Sequence, residues 1–127
     1  MLPASITRAI PWLLRGLLTV GFLPAGLTKF LNQAGWVDRF ATWGYGAWFV
    51  PVIGILELVG LAALWIPSLT RYGVALLTIL MLGAAYTHLA HPPQEAVLRP
   101  ALFLLALGLL YWSLRRAGSS ATPPSAT

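Results

Sequence analysis

Four side chains in this sequence carry the chemistry a site would need: Lys29, Glu57, His88 and Arg99. Glu57 lies near the middle of VPVIGILELVGLAALWIP (50–67), an apolar stretch bounded by prolines. A carboxylate in such a stretch is costly unless a cation, a hydrogen-bond donor or a proton meets it. Lys29 and Arg99 are both candidate partners, and protonation is the alternative to pairing. His88 adds a group able to take or give a proton near neutral pH. Together these residues could hold the polar end of a ligand or pass a proton. The structural alternative is an interhelical ion pair that fixes helix register.

The neighbours of each residue say which way it faces. On a helix, Ile53, Gly54, Gly60 and Leu61 share the face of Glu57. Lys29 shares its face with Ala25 and Gly26, and His88 with Ala84 and Ala85. Small residues on a membrane helix mark where another helix packs closely. All three polar groups are therefore expected to face the interior of a bundle. Pro24 removes the amide that would bond the carbonyl of Val20, and a kink is expected there.

Composition selects the setting. Of 127 residues, 58% are hydrophobic and 9% charged, with mean hydropathy +0.79. Soluble domains carry about 25% charged residues, so this chain has too little polar surface to cover a water-soluble globule. There is no cysteine, which excludes disulfides and thiol chemistry. Two histidines and three acids leave too few ligands to expect a metal centre. The net charge is +5, but Arg115-Arg116 is the only adjacent basic pair. Scattered basic residues at helix ends fit topology determinants and lipid headgroup contacts, not nucleic acid.

Four apolar segments are expected to cross the membrane, over about 9–31, 48–66, 72–90 and 96–114. Each approaches the ~20 residues that span ~30 Å of hydrocarbon. The fold class is therefore all-α, an integral membrane four-helix bundle over 1–116, with a disordered cytoplasmic tail over 117–127. Arg15 interrupts the first apolar stretch and no A-x-A site follows, so the first helix is read as retained and not as a cleaved signal peptide. Four spans put both termini on one side with Arg8, Arg15, Arg71, Arg115 and Arg116; Lys29, Arg39 and Arg99 lie on the other. That bias places the termini in the cytoplasm. Arg15 is expected to snorkel toward that surface. The loop NQAGWVDRFATWGYG repeats Trp36, Val37, Phe40 and Trp43 at helical spacing, which predicts a short amphipathic helix at the outer face.

This topology puts the four polar residues in the same half of the membrane, with Glu57 roughly 13 Å deep. The expectation is an outward-opening cavity lined by Lys29, Glu57, His88 and Arg99. Its depth suits a quinone or another lipid-soluble molecule. His88 is too shallow to touch Glu57, whereas Lys29 can reach down to it.

Three stretches then show a resemblance. FLPAGLTKF (22–30), WGYGAWFVPVIGILELVGLAALWIP (43–67) and GAAYTHL (83–89) resemble the DoxX-like family of small bacterial membrane proteins. The resemblance runs over about residues 10–114. It implies a four-helix membrane bundle, in which Lys29 and Glu57 match the family's charged motif positions. Some relatives are subunits of a thiosulfate:quinone oxidoreductase, others belong to membrane redox or oxidative-stress complexes, and similar animal proteins act in receptor assembly. Without cysteine, this chain offers no group for sulfur or thiol transfer of its own.

No nucleophile triad, phosphate loop, HExxH or CxxC is present. The chain is thus at most a subunit of a quinone-linked oxidoreductase. The leading reading is an accessory subunit of a membrane redox system, with no intrinsic cofactor, a bound quinone, membrane lipid around it and a membrane or peripheral redox partner. The alternative is a non-catalytic partner or assembly factor whose buried Lys–Glu pair is structural. A small transporter or proton-conducting protein ranks below both, because no inverted repeat is visible.

Overall fold

The computed structural model describes residues 3–121. Helix α1 spans Ala4–Leu31, α2 Gln33–Thr42, α3 Phe49–Leu64, α4 Thr70–Ala90 and α5 Leu98–Ala121, with a 3-10 turn over Gln94–Val97 leading into α5. The described residues are all-α, as composition and periodicity predict. The helix count differs from the expected bundle of four, because the first loop folds into α2, the short helix anticipated around Trp36–Trp43. Helix α1 is continuous through Pro11 and Pro24. Helix α5 continues past 117, where the tail was expected to begin. The rest of that expected tail, 122–127, lies outside the described residues.

Helix α1 packs against α3 and α5, and α4 packs against the same two, which closes a ring of four. The core of the ring is Leu18 and Phe22 from α1, Leu61 and Leu64 from α3, Leu77 from α4, and Leu107 and Leu110 from α5. Around it the polarity is inverted relative to a soluble protein. Leu13, Leu17, Val20, Ile79, Leu102 and Leu105 point outward, with Val20 73% exposed. An outer belt of that kind is stable only against hydrocarbon.

Three helices are long and apolar enough to cross a membrane: Ser5–Leu31 within α1, Thr70–Ala90, and Gln94–Arg116 across the 3-10 turn and α5. Helix α3, at 16 residues, is shorter. The chain is a membrane protein, and its longest helices carry the span signal.

The glycines flanking Glu57 seat α3 against both neighbours. A Cβ on Gly54 would lie 3.1 Å from Lys29 Cβ and 3.3 Å from the carbonyl oxygen of Gly26. On the opposite side, a Cβ on Gly73 of α4 would lie 2.7 Å from the carbonyl oxygen of Gly60. Backbones this close leave no room for side chains. The small-residue pattern read from the sequence thus corresponds to real helix contacts.

Candidate functional site

Close approach of α1 and α3 at Gly26 and Gly54 brings Lys29 to Glu57. Lys29 Nζ lies 3.0 Å from Glu57 Oε1, and both side chains are at most 5% exposed. The ammonium also donates to the carbonyl oxygen of Ala25 at 3.1 Å, and it sits 4.2 Å from the centroid of the Trp36 ring. An ammonium has three N–H donors. Here one meets the carboxylate, one a backbone carbonyl, and the remaining side of the charge faces an aromatic ring.

Glu57 is less well served. Its Oε2 is buried and has no hydrogen-bond partner among the described residues. A buried polar atom left in that state costs about 1–3 kcal/mol. The pair is therefore asymmetric, with a saturated cation and a carboxylate that can accept one more donor.

Trp36 closes the pair from above. It belongs to α2, and its Nε1 donates to Thr28 Oγ1 at 3.2 Å on α1. Arg39 lies over the same indole, 4.8 Å from its centroid. A cleft of about 280 Å³, lined by Thr28, Asn32, Gly35, Trp36 and Arg39, opens beside this contact. Lys29 and Glu57 do not line it.

The structure therefore brings together two of the four expected site residues and leaves the other two apart. His88 is half-buried on α4, with its ring edge against Trp43 at a centroid distance of 5.3 Å. The cations acting on it are Arg39 and Arg99. Arg99 is exposed on the first turn of α5 and lines a groove between α5 and α1. As a candidate partner for Glu57 it is displaced by Lys29. No one cavity is lined by all four residues among the described cavities.

Sequence reasoning missed two features. In the sequence Trp36 belongs to an amphipathic surface. It lies seven residues after Lys29, two helical turns on, which was the available signal; the helix break at Asn32 hides it. Thr87 on α4 was not singled out either, yet it is buried and shares a 2.6 Å hydrogen bond with Tyr45 in the α2–α3 turn.

Arg15 corrects an expectation. It does not snorkel to the surface; it is 3% exposed. Its Nε donates to the carbonyl oxygen of Leu64 at the end of α3, and its guanidinium donates to Thr70 Oγ1 at 3.2 Å at the start of α4. Trp12 covers it, 4.3 Å from ring centroid to Cζ. The last carbonyls of a helix lack intrahelical donors, and Arg15 supplies one.

The chain is similar to the uncharacterized protein YdgD of Bacillus subtilis (strain 168), 29% identical over 85 residues, covering 64% of this chain and 75% of that protein. No solved structure matches. Residues 13–110, which include Lys29, Glu57, His88 and Arg99, match the DoxX-like family. The chain belongs to the DoxX-like family of membrane proteins.

Proposed function

We infer that this is a four-span protein of the bacterial cytoplasmic membrane that serves as an accessory subunit of a membrane redox system. In this reading Lys29 and Glu57 receive the polar end of a quinone or a related lipid-soluble molecule beneath Trp36. The observation that carries it is the unpartnered Glu57 Oε2, buried beside a saturated Lys29. A buried acceptor of that kind calls for a donor. The reduced form of the ligand, a quinol, supplies one through its hydroxyl. The oxidised form presents a carbonyl, which needs a donor, and Lys29 becomes one when Trp36 moves off it.

The fourth span is α3. Its 16 residues rise roughly 24 Å, short of the ~30 Å core. Turns at both ends carry the chain further, through Phe49 N–H to Gly46 and Trp65 N–H to Ala62. Local thinning of the bilayer accommodates the rest. The cytoplasmic assignment of both termini rests on the exposed basic residues. Arg15 and Lys29 leave the count because they are buried. Arg8, Arg71, Arg115 and Arg116 then oppose Arg39 and Arg99.

A second reading is favoured by the closure of the ion pair. With every donor of Lys29 engaged, the pair can act as a pin between α1 and α3 and the protein as a non-catalytic assembly factor. Mass spectrometry of small molecules extracted from gently purified wild type and Glu57→Gln separates the two. The redox reading expects the quinol form in the wild type and its loss from a still-folded variant, since the new amide N–H faces the quinol O–H that the carboxylate accepted. Nothing bound in either, with a markedly less stable variant, overturns that reading and favours the pin.

A further inference from the structure

A second feature lies on another face of α1, and it is independent of the Lys29–Glu57 reading. A groove of about 410 Å³ runs between α1 and α5. Leu14, Leu17 and Gly21 line one wall, and Leu102, Leu105 and Leu109 the other. At Gly21 the two helices come close, with the Phe103 ring packed where a Cβ would stand. The one charged residue in its lining is Arg99, at one end.

Arg99 is the second residue of α5, so the groove runs from the edge of the apolar belt inward. From Arg99 to Leu109 it extends roughly 15 Å along the helix. Among the described residues Arg99 has neither an ion-pair partner nor a hydrogen-bond partner. The chain has three acids. Glu57 is committed to Lys29, and Asp38 and Glu95 are exposed and do not bridge Arg99. The groove is thus a long apolar trough with one unneutralised cation at its mouth.

We propose that the α1–α5 groove is a binding site for one anionic phospholipid, its acyl chain lying along the trough and its phosphate on Arg99. Charge complementarity selects this occupant. A second copy of the chain would have to bring Asp38 or Glu95, its two exposed acids, to the guanidinium, and these lie on α2 and on the 3-10 turn, off the leucine-rich outward faces that would fill the trough. A neutral quinone supplies the apolar tail without the anion. An anionic phospholipid supplies both, with the charge at the membrane edge, where basic residues meet lipid headgroups.

The test is native mass spectrometry of the full chain. It is purified in mild detergent and equilibrated with vesicles of phosphatidylglycerol and phosphatidylcholine in equal amounts. One phospholipid is expected to stay on each chain, with phosphatidylglycerol favoured by about fivefold. Arg99→Gln should bring the ratio near unity while a lipid is still retained. Leu102→Trp, which fills the trough one turn from Arg99, should remove retained lipid of either kind. Arg71→Gln, an exposed arginine outside the groove, should leave the preference unchanged. Equal retention of the two lipids by the wild type overturns the proposal, as does a preference that survives Arg99→Gln. A dimer that excludes lipid, or a neutral quinone held in the trough and displaced by Leu102→Trp, overturns it as well. Should Arg99→Gln fail to fold, the loss of lipid from Leu102→Trp and the preference of Arg99→Lys decide: the lysine variant must keep the preference.

Discussion

Lys29 and Glu57 meet at 3.0 Å across the α1–α3 interface, at the level where Gly54 lets the two backbones touch. Neither charge has contact with water to fall back on. Lys29→Met is therefore expected to destabilise the bundle by about 3–5 kcal/mol, because it strands a buried carboxylate. The double variant Lys29→Met with Glu57→Leu should recover most of that loss. Denaturant unfolding in one detergent measures both. A double variant as unstable as Lys29→Met alone would show that the pair's packing, not its charge, matters.

Trp36 shields the only lysine of the chain. In the wild type an amine-reactive reagent should leave Lys29 untouched. Trp36→Ala removes a cation–π contact of about 1–2 kcal/mol and exposes the ammonium. Peptide mapping should then find Lys29 labelled at a rate several-fold higher. Unchanged protection would mean that α2 as a whole, and not the indole, covers the pair.

The α1–α3 crossing has no spare room. Gly54→Ala would set a Cβ 2.9 Å from the Phe30 ring and 3.1 Å from Lys29 Cβ. Overpacking of this kind costs about 1–3 kcal/mol. A lower melting temperature together with faster labelling of Lys29 is expected. Gly16→Ala, whose Cβ would meet nothing within 4 Å, is the control and should be neutral or better.

Arg15 should behave as a buried group. Hydrogen bonds from a charged donor are worth about 1.5–3 kcal/mol each, and Arg15 makes two. Arg15→Met should lower stability by a few kcal/mol, whereas Arg71→Met, at an exposed position, should shift it little. Equal effects in thermal unfolding would restore the snorkelling reading.

How far the sequence spoke depended on what each residue needed. Glu57 and Lys29 announced their direction through the glycines beside them, because small residues record helix contact in the sequence itself. His88 has the same small neighbours but is expected to lie too shallow to touch Glu57. Depth along a helix does not fix which neighbour lies opposite, and the ring went to Trp43. Arg99 was assigned to the right end of the right helix but the wrong side of it. The burial of Arg15 was invisible because it depends on where α3 ends and α4 begins, and helix ends are poorly marked when neither carries a cap motif. The contact of Trp36 with Lys29 is hidden in the sequence for a related reason. A break at Asn32 interrupts the periodicity that would have placed Trp36 over Lys29.

The two buried cations of α1 have a joint effect on α3. Lys29 grips it at Glu57, and Arg15 grips its terminal carbonyl at Leu64. The two grips are seven residues apart, about 10 Å along the axis. A rod held at one point can swivel and slide; a rod held at two, by partners on the same neighbouring rod, can do neither without releasing one of them. Helices α1 and α3 therefore form a single stiff plank. Any opening that admits a ligand to Glu57 has to come from the parts not riveted to it, and α2 with its indole is the part that lies in the way.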